Sequence, residues 1–401
     1  MKIIYIHQYF VTPAEPGGTR SYWFAKELIN SGHEVTMITS TNTSHPLPGR
    51  FNIDGINVIY VKNDYSNYFS PFRKIISFLK FFIKSILKAS KEKQVDLVFA
   101  TSTPLTVGAI ALWLKRLKHW NYVFEVRDLW PEFPIQIGAI KNRLLIRILK
   151  RLEKNIYKNA EHIIALSPGM QNGILNCEIP KNKVSVIPNM SKPDIFYPRK
   201  ISEKIAKDFL IDTSKFNVIH FGSMGVANGL TYIIETAKYL KTVGNEDIRF
   251  IFLGDGATQP TLKQLVNEYN LSSVCFLGNH EMSLTSEIVN CCDLSVVGFL
   301  NIPILYTNSP NKLFDSLSAG KPLVVNSAGW TKDLVEKNEC GFYVNPNDPQ
   351  DFADKLLKYK EEKILLKKWG ENARSLSISS FDKSILTKQF IDIINSVLKQ
   401  V

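Results

Sequence analysis

Short apolar runs alternate with helix-patterned stretches along almost all of this chain, and the alternation runs through twice. Strands are read at Lys2–Ile6, Glu34–Thr39, Val58–Val61, Asp96–Ala100, Tyr122–Glu125, Ile163–Leu166 and Val184–Ile187, with a helix over Ser21–Asn30. Val186–Pro198, VIPNMSKPDIFYP, carries three prolines and interrupts the pattern as a linker. Strands resume at Phe216–Phe221, Arg249–Leu253, Val274–Leu277, Leu294–Val297, Pro322–Val325 and Gly341–Val344, with a helix over Thr231–Leu240. Such alternation predicts parallel sheets covered by helices on both faces. The expected organisation is an α/β chain of two Rossmann-like domains, 1–195 and 196–401, with a cleft between them. The last helix, about residues 381–401, is free to pack back on the first domain. A chain of 401 residues can bury a core in each half.

Charge separates the halves. Up to Pro198 there are 26 basic and 14 acidic residues; from Arg199 onward there are 23 of each. The whole excess of +12 lies in the first half, which implies different partners for the two domains. Five cysteines, with no CxxC and no zinc spacing, read as reduced thiols of a cytoplasmic protein. The opening MKIIYIHQYF reads as a first strand interrupted by His7 and Gln8, not as a signal peptide. No uncharged apolar run approaches the ~20 residues needed to span a bilayer.

Parallel sheets bind ligands where strands end and helices begin. Three such turns are unusual. Pro16-Gly17-Gly18-Thr19-Arg20 lets a backbone approach a ligand closely, offers helix amides to a phosphate and adds the Arg20 fork; a tight turn that needs glycine for its geometry explains it equally well. Gly222-Ser223-Met224-Gly225-Val226-Ala227-Asn228-Gly229 repeats the arrangement at the start of the second half. The third is Ser309-Pro310-Asn311-Lys312-Leu313-Phe314-Asp315, running to Gly320-Lys321-Pro322. Ser309 suits an N-cap and Pro310 the first helical position. The helix dipole and Lys312 favour an anion at the Asn311–Lys312 end. Asp315, one turn further in, could accept hydrogen bonds from paired ribose hydroxyls; a capped amphipathic helix with a solvated Asp is the bland alternative. Weaker signals are the turn at Gly254, the loop pair His280 and Glu281, and Arg127-Asp128 after the Tyr122–Glu125 strand.

Together these segments resemble the retaining family 4 glycosyltransferases of the GT-B fold. The likeness runs over nearly the whole chain through PGGTRSYWFAKELINSGHEVTMITS, VIPNMSKPDIFYP, FGSMGVANGL, FIFLGDG, FLGNHE and PNKLFDSLSAGKPLVV, in that order. GGTR, RDLWP and PNKLFDSLSAGKP look closest to the branch that builds bacterial surface polysaccharide, which includes L-fucosamine transferases. The resemblance implies that Gly17 and Gly18 approach a donor pyrophosphate. It further implies that Asn311 and Lys312 face the phosphates, that Asp315 holds the nucleotide ribose, and that Asp128 is the acid that follows the family's cleft histidine. Gly222, Ser223, Gly225, Asn228, Gly254, His280, Glu281, Ser309 and Leu313 complete the expected donor site. Departures accompany the match. Thr307 stands where the first acid of the family's pair would fall. Ser223 and Asn228 stand where an Arg and a Lys are usual, and Arg127 replaces a common His. Arg20 and Lys312 are the cations expected to compensate, so Asp128, Arg127, Lys312 and Arg20 form the expected catalytic set.

The implied reaction moves a sugar, with an N-acetylated aminodeoxyhexose as the candidate that the resemblance offers, from a nucleotide diphosphate to an acceptor hydroxyl with retention. UDP is the implied nucleotide. Amide dipoles and cations would quiet the leaving diphosphate, so no metal or other cofactor is expected. The implied acceptor is a polyprenyl-pyrophosphate-linked saccharide. Two alternatives use the same architecture: a non-hydrolysing nucleotide-sugar epimerase, and an inactive nucleotide-binding partner of a polysaccharide complex.

Ser70–Gln94 is the strongest clue to the charge. At about 100° per residue, Phe72, Ile75, Ile76, Leu79, Phe82, Ile83, Ile86 and Leu87 share an arc expected to pack on the sheet. The opposite face carries Arg73, Lys74, Lys84 and Lys88 with Phe81 among them and Phe78 at its edge. That face is expected to meet the anionic inner surface of the cytoplasmic membrane. A solvated lysine face is the bland alternative. No nucleic-acid motif accompanies the charge, so nucleic acid is not expected as a partner.

Overall fold

The computed structural model describes residues 1–15, 17–66 and 69–399; Pro16 of the first glycine turn lies outside them. The chain forms two compact units. Unit 1 holds Met1–Pro188, Thr307–Ser309 and Ser384–Val401, and unit 2 holds Asn189–Tyr306 and Pro310–Lys383.

In unit 1 the order is β1 (Lys2–Ile6), α1 (Arg20–Asn30), β2 (Glu34–Ser40), β3 (Gly49–Ile53), β4 (Ile56–Val61), α2 (Pro71–Ala89) and β5 (Leu97–Thr101). Then follow α3 (Leu105–Lys118), β6 (Tyr122–Val126), α4 (Glu132–Gln136), α5 (Arg143–Asn159), β7 (His162–Ala165), α6 (Pro168–Leu175) and β8 (Val184–Val186). Unit 2 continues with α7 (Glu203–Asp208), β9 (Phe216–Phe221), α8 (Thr231–Thr242), β10 (Ile248–Leu253), α9 (Gln259–Glu268), β11 (Val274–Gly278) and α10 (Met282–Asn290). It ends with β12 (Leu294–Val297), α11 (Asn311–Ser318), β13 (Leu323–Val325), α12 (Trp330–Lys337), β14 (Gly341–Tyr343), α13 (Pro349–Tyr359) and α14 (Lys363–Ser380). The last helix, α15 (Lys383–Leu398), belongs to unit 1 from Ser384 onward. Its Phe390 ring stacks on Phe24 of α1, centroids 4.1 Å apart.

The unit 1 sheet has the order β3-β4-β2-β1-β5-β6-β7-β8, and the unit 2 sheet β11-β10-β9-β12-β13-β14. All pairings are parallel except β3 with β4. Central strands such as β5 and β6 are buried along their whole length, which is why they are apolar except for Thr101 and Glu125, both buried with hydrogen-bond partners. The sequence reading missed β3. It is a polar edge strand, returned on β4 by Asp54 and Gly55, both at positive φ, as a tight hairpin turn requires.

Steps from β4 to β5, β5 to β6 and β6 to β7 all run toward one edge of the sheet. Right-handed crossovers therefore put α2, α3 and α5 on one face, and the reverse step from β1 to β2 puts α1 on the other. In unit 2, Gly254 follows β10 with φ +137°, and a Cβ there would sit 2.1 Å from the Gly222 carbonyl oxygen. The turns after β9 and β10 thus touch backbone to backbone, so Gly254 has a packing role of its own. Gly254→Ala should cost about 1–3 kcal/mol, read as a lower urea midpoint for unit 2. An unchanged midpoint would mean the two turns can part freely.

The face of α2 differs from the sequence reading. Phe81 is fully buried and Phe78 is half-buried against the Tyr65 and Trp130 rings, so neither faces a membrane. The inward line is Ser77, Phe81, Ser85 and Ala89, while Phe72, Ile75, Leu79, Ile83 and Leu87 stand exposed. Polar partners set this rotation. Ser77 Oγ donates to the Asp64 carbonyl at 2.9 Å and accepts from Asn63 Nδ2 at 3.1 Å. Small residues let α2 come close to the sheet, whereas apolar periodicity alone cannot choose between two greasy sides. Arg73 and Lys88 are exposed; Lys74 and Lys84 are half-buried, with Lys84 Nζ on the Lys62 carbonyl.

Candidate functional site

Strand β9 ends at Phe221, and the chain turns through Gly222 at φ +99°. Met224, fully buried, anchors the turn, leaving Gly222 and Ser223 exposed and Gly225 and Asn228 half-buried. Helix α11 begins beside this turn. It starts at Asn311, and Pro310 occupies the N-cap position that the sequence suggested for Ser309. The first amides of a helix lack intrahelical acceptors and carry its positive dipole end. The Leu313 side chain is fully buried, and its amide bonds the Pro310 carbonyl at 3.1 Å. Leu313 therefore fills the core and leaves the donor set.

Lys312 is the centre of the cluster. Its Nζ lies 3.0 Å from His220 Nε2 and 3.1 Å from Asn228 Oδ1. Burial pulls its ammonium down to about 7. The same burial, together with Lys312, holds His220 well below the usual imidazole range, so the ring is a neutral acceptor. A Cβ at Gly222 would be 3.7 Å from Lys312 Cε. Lys312 thus delivers its cation to the very turn in which Asn228 stands without one.

Asp315 lies one turn along α11, with Oδ1 2.7 Å from Lys192 Nζ. Burial pushes its carboxyl up and Lys192 pulls it back. Lys192 sits in the linker and went unnoticed in the sequence; a lysine next to a proline gave no periodic signal. Ser316 and Ser318 fix α11 through hydroxyl pairs with Ser295 at 2.6 Å and Ser377 at 3.0 Å. His280 and Glu281 follow β11, two strands from β9. His280 Nε2 meets the Leu277 carbonyl at 2.8 Å, and Glu281 accepts from Ser283 at 2.6 Å.

Unit 1 carries a second cluster at strand ends. His7 joins Ser21 Oγ through Nδ1 at 2.8 Å and Arg127 Nη1 through Nε2 at 3.3 Å. Ser102 Oγ accepts the Arg127 amide at 2.9 Å. Burial pushes the Asp128 carboxyl up to about 6, against the pull of Arg127. Gln8 is 1% exposed, and its amide atoms have no partner among the described residues. The signal for His7 and Gln8 was present: two polar residues closing a buried strand.

Arg20 must be reassigned. Its Nε donates to Glu125 Oε1 at 2.8 Å, Nη2 to the Ile187 carbonyl at 2.8 Å and Nη1 to the Pro188 carbonyl. The guanidinium also lies 4.3 Å over the Phe24 ring. It is 2% exposed, so it cannot reach a phosphate as the sequence reading required. Arg20 pins the start of α1 to β6 and to the chain after β8. Gly17, exposed at φ +138°, and half-buried Gly18 remain just before that helix. Among the described residues no three His, Cys, Asp or Glu side chains converge as a metal site would need.

Residues 17–194 match the description "Glycosyltransferase Family 4", and residues 201–376 match "Glycosyl transferases group 1". The chain belongs to glycosyltransferase family 4. Its relatives include the probable glycosyltransferase WbjE of Pseudomonas aeruginosa, 22% identical over 82% of this chain and 81% of that protein. The capsular polysaccharide biosynthesis glycosyltransferase CapM of Staphylococcus aureus is 22% identical over 81% and 83%. The UDP-Gal:alpha-D-GlcNAc-diphosphoundecaprenol alpha-1,3-galactosyltransferase of Escherichia coli is 25% identical over about half of each chain (50% and 51%). Among solved structures, Anabaena HepE in complex with UDP and glucose superposes with TM-score 0.75 over 99% of this chain and 100% of that one, at 18% identity. The two parallel-sheet units are those of the GT-B fold. Membership of this family makes the chain a glycosyltransferase, which selects the transferase over the epimerase.

Proposed function

We propose that this glycosyltransferase moves a hexose-type sugar from a UDP donor to a polyprenyl-pyrophosphate-linked glycan with retention. The buried Lys312 ammonium, held by His220 and Asn228 at the Gly222–Gly229 turn, carries this reading. A buried cation with neutral neighbours suits an incoming diphosphate, because low dielectric strengthens the attraction. The UDP assignment draws support from the UDP bound to HepE and the UDP-Gal named for the Escherichia coli relative. The latter's diphosphoundecaprenol substrate supports the lipid-linked acceptor, and with it a working place at the inner membrane face.

In the proposed reaction the anomeric carbon–oxygen bond to the diphosphate breaks, and a bond to the acceptor oxygen forms on the same face. The acceptor proton passes to an oxygen of the departing diphosphate, so no protein nucleophile is needed. Lys312 and the first amides of α11 balance the charge that develops on the leaving group. Asp315 holds the ribose, and unit 1 offers His7, Arg127 and Asp128 to the acceptor. No metal takes part.

Thermal shift with UDP, GDP and ADP tests the donor half. UDP should stabilise most, and Asp315→Ala should weaken its binding by about tenfold or more, as for loss of a charge-assisted hydrogen bond. Turnover on a polyprenyl-pyrophosphate saccharide should survive EDTA. The reading fails if no diphosphate shifts the melting, or if EDTA abolishes transfer.

A further inference from the structure

Exposed apolar side chains are ordinary when scattered singly. Unit 1 instead gathers them on three neighbouring helices of one sheet face. Phe72, Ile75, Leu79, Ile83 and Leu87 are 52–73% exposed along α2. Their spacing of three and four residues makes a single ridge about 22 Å long. Helix α2 packs against α3, and α3 against α5. Trp113 and Leu117 continue the apolar surface on α3, and Leu144 and Ile148 on α5, all at least 46% exposed.

Charge around the ridge has one sign. Helix α2 carries five Lys or Arg residues, α3 three and α5 six. The only carboxylate on the three helices is Glu153, which is buried beneath Tyr157. Neighbouring elements neutralise just a few of these cations: Glu161 pairs with Lys115, Glu132 with Lys150 and Glu178 with Lys154. A second copy of this chain fits poorly, because a two-fold contact would press like charges together. No helix among the described residues is long and apolar enough to cross a bilayer.

We propose that α2, α3 and α5 dock unit 1 on an anionic lipid bilayer. The α2 ridge and Trp113 enter the boundary between headgroups and acyl chains, and the flanking lysines and arginines meet lipid phosphates. This reverses the face of α2 read from the sequence: the apolar arc is the membrane side, and the basic residues are its rim. Binding therefore combines an apolar part that resists salt with an electrostatic part that salt weakens. The inference rests on the lipid-linked acceptor of the proposed function for its purpose, but its test needs neither donor nor acceptor.

The full chain is floated with vesicles of phosphatidylcholine alone and of phosphatidylcholine with about 30% phosphatidylglycerol. Wild type should float with the anionic vesicles, and part of it should remain bound in about 1 M NaCl. The pair Leu79→Glu and Ile83→Glu should lower binding by about tenfold or more at any salt. Lys80→Glu with Lys88→Glu should lower it mainly at low salt. Ile364→Glu, on the exposed side of α14 in unit 2, should float as wild type does. All variants should keep the wild-type thermal shift with UDP. Docking is overturned if wild type ignores anionic vesicles or if the ridge variant floats unchanged. It is equally overturned if size exclusion shows a dimer that the ridge variant splits, since the ridge would then face a second copy. Wild type that floats but transfers only to soluble saccharides would remove the acceptor reading and leave the docking in place.

Discussion

Replacing Lys312 by Met should lower kcat/KM by about 10²–10³-fold, the usual cost of removing one preorganised charge from a leaving group. The loss should fall mainly on turnover, because charge on the diphosphate grows in the transition state. The same residue gives the enzyme a pH signature. In the donor-free fold Lys312 sits near 7, against 10.5 for a free lysine. Between those values the unfolded chain holds a proton that the fold lacks, so this group makes stability rise with pH across that window. A bound diphosphate favours the ammonium and restores the proton. Nucleotide binding above pH 7 should therefore take up a proton, and affinity should decline as the pH climbs. Calorimetry at pH 8 in two buffers of different ionisation enthalpy measures this directly. The uptake by wild type minus that by Lys312→Met isolates the lysine, since the nucleotide's own phosphate titrates alike in both. No difference between the two proteins would place the diphosphate elsewhere.

Arg20→Met should destabilise unit 1 by about 3–5 kcal/mol, because it leaves Glu125 buried without its cation. Glu125 is fully buried on β6, and among the described residues Thr101 Oγ1, at 3.1 Å, is its remaining side-chain donor. The melting of unit 1 should drop by about 2–4 °C for each kcal/mol lost. Adding Glu125→Gln should return part of the loss, since a neutral amide costs less to bury than an unpaired carboxylate. Donor affinity of the folded fraction should stay near wild type. If Arg20→Met instead melts normally and loses nucleotide binding, the phosphate role read from the PGGTR turn would be right and the buried ion pair incidental.

Much of this protein is legible without coordinates. Strands β1, β9 and β12 stand where short, mostly apolar runs place them, because a strand in the middle of a parallel sheet is buried on both sides. The β3 hairpin escaped notice because an edge strand with exposed Arg50 and Asn52 shows no apolar period, leaving only the Asp54-Gly55 turn as a marker. The Lys312 turn and Asp315 were found through glycine spacing and helix-start chemistry. Their partners His220 and Lys192 were not, because 92 and 123 residues separate each from its partner. No local pattern reports a contact made across such a distance.

By itself the sequence determined the two α/β halves, the strand-end turns and the basic first half, since each follows from short-range periodicity, backbone conformation or composition. Tertiary structure alone decided what the cations and the apolar arc do. Arg20 became a buried tie because Glu125 and two carbonyls converge on it, while Lys312 became the site's cation because His220 and Asn228 leave its charge unbalanced. The α2 ridge faces outward because Ser77 and Asn63 lock the helix rotation. Desolvation and pairing are properties of which distant groups meet, and those meetings exist only once the chain has folded.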